Sequence, residues 1–224
     1  MPPSLELYNE LKNMIEDTIK REKECGEYLK HIPEFLFNET FKRVVYSDIE
    51  YRGNTGNADF VISAEVITSS GISTVKAYVY ELKAPQCYIF ERDNNERLKP
   101  SKDLISAENQ LINYHDEMRS SDQFRDKYKV MHPDNVCIGG IIIGCSRFHV
   151  KGNYPESKKE VLYEGACRIR DHYFYRSCPM KLITWDMILR QFIPRKEIVS
   201  ETIIVRPVEL KWSVTGPTII TGST

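Results

Sequence analysis

Asp59, Glu81 and Lys83 are two acids and an amine set among mostly aliphatic and aromatic neighbours. Asp59 opens the run Asp59-Phe-Val-Ile, and Glu81-Leu-Lys83 closes the run Val75-Lys-Ala-Tyr-Val-Tyr80. Residues two apart on a strand project to the same face, so Glu81 and Lys83 are expected to point together. Charges are rarely buried unless paired or bound to a metal, because desolvation costs several kcal/mol per ion. An acid on one strand beside acid-x-lysine on the next suits hydrolysis assisted by a hard divalent cation. Asp59 and Glu81 would supply carboxylate oxygens to Mg2+ (or Mn2+), and the Leu82 carbonyl would be a third ligand. Lys83 would orient the attacking water or hold a phosphate oxygen, with its pKa lowered by burial and by the cation.

Glu-Leu-Lys alone says little, because it occurs at 10–12, 81–83 and 209–211. The first copy falls in a helical pattern, where residues two apart do not share a face. The third follows Pro207 and has no helix after it. Only the middle copy has an aspartate-bearing strand before it and a helix with a polar stripe after it. In that helix Ala107, Gln110 and Tyr114 fall at i, i+3 and i+7. Gln110 is expected to reach the water or phosphate and to accept from Lys83; the plainer alternative is a surface glutamine bonded to backbone or solvent. His115 is expected on the helix surface. Arg147 and His149 follow a buried strand, and Arg147 is a candidate phosphate contact because strand ends border sites in α/β sheets. Gly139, Gly140 and Gly144 lie inside that strand and read as close-packing positions rather than a phosphate cradle.

The elements that must position these groups follow from periodicity and turn signals. Residues 4–24 read as an amphipathic helix, and 27–37 as a shorter one restarted at Pro33. Strands are expected over 44–51, 58–68 and 74–84, joined by hairpin turns at 53–56 and 69–71. A long polar loop runs to Lys102, a helix covers 104–118, and 136–145 reads as a strand buried on both faces. A helix over 157–176, a strand at 181–184 and a helix over 185–192 capped by Thr184 complete the pattern. This order is an α/β sandwich with a mixed central sheet. The expected divisions are 1–40, an N-terminal helical segment; 41–193, the core; and 194–224, a tail or arm.

With 224 residues the chain can bury one substantial core. The formal net charge of −1 advertises no global nucleic-acid field, although basic residues cluster locally. Six cysteines show no Cys-x-x-Cys, so neither a zinc knuckle nor a disulfide framework is expected. No stretch approaches the roughly 18 apolar residues of a membrane span, and the N-terminus lacks a signal pattern. The expectation is a cytoplasmic protein without a membrane partner.

Gly56-Asn-Ala-Asp59-Phe-Val-Ile, Tyr80-Glu81-Leu-Lys83-Ala-Pro85 and Ala107-Glu-Asn-Gln110-Leu-Ile-Asn-Tyr114 together resemble the PD-(D/E)xK nuclease superfamily. More narrowly they resemble the nuclease domain of the Shedu anti-phage defence family, over roughly residues 40–190. Ile141-Ile-Ile-Gly144 and Ile183-Thr-Trp-Asp-Met-Ile-Leu189 are weaker matches. The resemblance implies a PD-(D/E)xK core and a Mg2+- or Mn2+-dependent endonuclease that nicks or cuts phage DNA as a homo-oligomer. It implies Asp59, Glu81, Lys83 and Gln110 as catalytic residues, with Asp59, Glu81 and Leu82 at the metal. The proline that usually precedes the first acid is replaced by Asn57-Ala58. In this superfamily an acid from the N-terminal helices sometimes completes the site; Glu16, Glu27 and Glu39 are candidates, whereas Asp48 and Glu50 read as surface carboxylates. Two alternatives stay open. One is a nuclease-like fold serving as a non-catalytic nucleic-acid-binding or scaffold module; the other is a restriction or repair nuclease with the same chemistry.

Overall fold

Three long strands in succession, β1 (Phe41–Arg52), β2 (Asn57–Ile67) and β3 (Ser73–Leu82), form an antiparallel meander. The computed structural model describes residues 5–37, 40–53, 56–95 and 97–193. β2 and β3 pair from Ile67↔Ser73 to Phe60↔Tyr80, so the turn at Gly71 (φ +78°) sets the register of every side chain above it. The strand β6 (Val136–Ile142) lies parallel to β3, and the short β7 (Leu182–Ile183) lies parallel to β6. The sheet order is β1-β2-β3-β6-β7. A parallel step needs a crossover, and α4 (Lys102–Ser120) supplies the one between β3 and β6. The architecture is α/β with a five-stranded mixed sheet flanked by helices.

Each face of the sheet has its own core. On one side Val61, Val79 and Ile141 meet Ala107, Leu111 and Tyr114 of α4, with α5 (Asp122–Tyr128) adding Phe124 and Tyr128. On the other side Phe60, Tyr80, Leu82 and Ile142 meet the N-terminal helices α1 (Leu5–Glu16), α2 (Glu22–Gly26) and α3 (Pro33–Leu36), with α7 (Trp185–Arg190). Residues 5–37 thus pack on the same sheet as the rest. β6 runs between both cores, and at Gly139 the β3–β6 register slips by one residue. A Cβ at Gly139 would lie 2.3 Å from the Tyr80 ring, so a bare α-carbon lets that ring pack across the strand.

Several boundaries differ from the sequence reading. The expected helix over 4–24 stops at Glu16, because Asp17 turns the chain: its carboxylate accepts from the Thr18 and Ile19 amides and from Arg21 Nε (2.7, 3.3 and 3.1 Å). The polar loop after Pro85 contains a small hairpin, β4 (Phe90–Arg92) with β5 (Leu98–Pro100). The helix expected over 157–176 is α6 (Glu156–Arg170), followed by a π turn at Asp171–Tyr175. The expected tail, 194–224, lies outside the described residues. Among the described residues no helix is long and apolar enough to cross a membrane.

Candidate active site

The β2–β3 ladder stops at Phe60↔Tyr80, and the strands part beyond it. Asp59 uses the opening: its Oδ2, rather than a backbone carbonyl, accepts the Leu82 amide at 2.8 Å. Glu81 falls on the α4 side by alternation with Val79 and is 1% exposed. Lys83 Nζ lies 2.5 Å from Glu81 Oε1 and also donates to the Leu82 carbonyl at 3.1 Å. The structure therefore brings Asp59, Glu81, Lys83 and the Leu82 carbonyl together at one end of β3. The Lys83 backbone is fixed on both sides, its amide donating to Ile142 O (2.8 Å) and its carbonyl accepting from Trp185 Nε1 (2.8 Å).

Electrostatics inside the cluster follow from burial and crowding. Desolvation and then the neighbouring Asp59 push the Glu81 carboxyl up to about 8, against the pull of Lys83. Burial also raises Asp59, opposed by the Leu82 amide and Lys83. The sequence reading has burial and a bound cation lower the Lys83 pKa; in the protein alone the balance runs the other way. Burial alone would lower it, but Glu81, Glu22 and Asp59 outweigh burial and hold the ammonium above its ordinary value.

Gln110 is also placed differently. Its Oε1 accepts from Ser106 Oγ at 3.2 Å and its Nε2 lies 3.5 Å from Tyr114 Oη, so it makes no bond to Lys83. Tyr114, one turn on, feels the charge of the acids: burial and then Glu81 raise its pKa. The ring lies where a Cβ on Gly56 would come within 2.8 Å of it. The glycine of Gly56-Asn-Ala-Asp59 thus makes room for the tyrosine of the helix motif.

The N-terminal acid nearest the cluster is Glu22, which the sequence does not single out. Gly26 packs against Leu82, where a Cβ would lie 2.9 Å from Cδ1. Residues four apart on a helix share a face, so Gly26 seats Glu22 at the end of β3. Its pKa is raised by burial, with Lys83 and the Ala84 amide opposing. Glu16 is exposed near Lys12, Glu27 is exposed and paired with Lys30, and Glu39 lies outside the described residues. Asp48 accepts from Tyr128 Oη and Lys127, and Glu50 pairs with Lys23. Gln86 was missed as well. Its Nε2 donates to the carbonyls of Met14, Ile15 and Asp17 (3.1, 3.3 and 2.8 Å), stitching the end of α1 to the strand end.

The remaining candidates lie elsewhere. His115 Nε2 is 2.9 Å from Val136 O, tying α4 to β6. Arg147 donates to Glu16 O at 3.3 Å, and His149 is buried in a stack on Tyr163.

Among the described residues no group of three or more His, Cys, Asp or Glu side chains is arranged to hold a metal ion. The donors here are two carboxylates and a main-chain carbonyl, a set that suits a hard cation keeping several waters. Glu81 Oε2 is buried and meets no amide, hydroxyl or ammonium donor among the described residues. The carboxyl, raised to about 8, instead shares a hydrogen bond with Asp59, a proton that a cation entering there would displace. No family model matches this sequence, and no curated protein matches it.

Proposed function

We propose that this chain is a divalent-metal-dependent DNA endonuclease of the PD-(D/E)xK type, working in bacterial anti-phage defence like the Shedu nucleases it resembles. One observation carries the reading: the buried Glu81 and the half-buried Asp59, from adjacent strands, meet beside an amine. Burial raises the pKa of both acids, and perturbed acids set side by side are more common at functional sites than in scaffolds.

Asp59, Glu81 and the Leu82 carbonyl would hold Mg2+ or Mn2+, with Glu22 near enough to act on Lys83 and Asp59 through its charge. When bound, the cation supplies Lewis-acid stabilisation of charge on the phosphate and a more acidic water. The chain's own groups do the rest. Lys83 Nζ carries a proton and a positive charge beside Glu81, positioned to steer a water or a phosphate oxygen. The Leu82 amide fixes the orientation of Asp59. Tyr114, on α4, is close enough that the charge of Glu81 adds to burial in raising its pKa. Gln110 acts through Tyr114.

The second reading, a non-catalytic module, is favoured by one observation. Lys83 and Glu81 already form a close ion pair that could be purely structural. Supercoiled plasmid separates the two. With Mg2+ or Mn2+ the wild type is expected to nick it and EDTA to stop the reaction. Asp59→Asn, Glu81→Gln and Lys83→Ala should each cost about a hundredfold or more. Undiminished cutting by Lys83→Ala would remove this site from consideration. A repair role would share the chemistry but give no protection in a phage challenge, whereas a restriction role would give protection that methylation of the phage DNA abolishes.

A further inference from the structure

Away from the acids, the β4–β5 hairpin and α6 enclose an open groove of about 730 Å3. Its floor is apolar, with Phe90, Leu98 and Leu162 among its residues. Five cations line it, Arg92, Arg97, Lys99, Arg168 and Arg170, and no carboxylate does among the described residues. Arg97, Lys99 and Arg170 each hold a carboxylate (Asp93, Glu91 and Glu108), yet none of those acids belongs to the lining. At one end Phe174 is 52% exposed, with the Arg170 guanidinium 4.0 Å from its ring centroid. The segment that carries it is the π turn, an irregularity found frequently at functional sites.

We infer that this groove binds single-stranded nucleic acid, with phosphates against the arginines and lysine and a base stacked on Phe174. The cations of the lining favour an anionic occupant, even though three of them also hold a carboxylate. The apolar floor with an exposed ring favours one with flat, weakly hydrated surfaces. Single strands combine both, since cationic grooves track their backbone while aromatic side chains take unstacked bases. A duplex keeps its base faces hidden. Dimension argues against a lone nucleotide: from Val161 to Phe174 the helical wall is about 20 Å long at the ordinary rise per residue. A two-fold contact with a second copy would set the same cations against one another. Binding here is separate from the acid cluster and does not require that the chain cut anything.

Fluorescence anisotropy tests this with a labelled oligothymidylate of about twelve nucleotides, in EDTA and about 50 mM salt, within the site sizes such grooves show. Phe174→Ala should weaken binding by about tenfold, the scale of one stacked base. Arg168→Glu and Lys99→Glu should each weaken it and flatten the salt dependence by about 0.7 in log–log slope per cation removed. All three positions are surface residues, and thermal melting checks their folding. Wild-type binding by all three variants overturns the inference. So does a duplex of equal length that binds as tightly and loses as much on each substitution, or displacement of the probe by polyglutamate at equal charge. Failure of plasmid nicking with intact groove binding would count against the nuclease reading alone.

Discussion

Glu81 holds its proton more tightly in the fold than in the unfolded chain, because its surroundings are poor in water and already carry the charge of Asp59. The direction of linkage follows. A carboxyl raised from 4.5 to about 8 stabilises the folded state fully below its unfolded value. That contribution fades as pH climbs through about 8. In EDTA, the melting temperature of the wild type relative to Glu81→Gln is therefore expected to fall between pH 5 and 8.5. Differential scanning at several pH values measures it, and a constant difference would mean that Glu81 is not the buried acid described. Cations compete with that proton for the same oxygens. Adding Mn2+ should raise the wild-type melting temperature more at pH 8 than at pH 6, and should do little for Glu81→Gln.

Short elements position the site as much as long ones do. α2 spans five residues and has no side-chain cap, yet it carries Glu22. Just before it in the chain, three carbonyls at the end of α1, groups that a helix leaves orphaned, accept from Gln86. Replacing Gln86 with Leu should cost about 1–3 kcal/mol, the range for stranding buried acceptors. If nicking is observed in the wild type, this variant should also need more Mg2+ to reach half its rate. Urea melts and a metal titration read the two effects separately. This level of organisation was only partly legible in the sequence. The meander, the doubly buried β6 and the Thr184 cap followed from alternation, apolar continuity and turn chemistry. Asp59, Glu81 and Lys83 were legible because strand periodicity acts over two residues. Glu22 was not, since its place depends on a glycine contact with Leu82 far along the chain. The break after Glu16 was missed because the apolar spacing continues to Ile19, whereas one aspartate side chain decides the turn. Gln110 was misplaced because helical spacing gives a face but not the reach of a side chain.

At the scale of the whole molecule, one sheet serves two cores, and neither can dissolve without exposing the other's strands. β6 contributes Ile141 to one side and Ile142 to the other. Leu29, fully buried among the N-terminal helices, should cost about 2–5 kcal/mol when cut to Ala. The loss should appear in one cooperative transition, with far-UV circular dichroism and fluorescence superimposing. Two separated transitions would show that the N-terminal helices melt from the sheet independently.

Trp185 is wholly inside, and its indole donates to the carbonyl of Lys83. The chain has two tryptophans, the other being Trp212. With Trp212 exchanged for Phe, the emission of the survivor becomes a native optical gauge of the backbone beneath the reactive amine. It can be read in real time, without an attached dye.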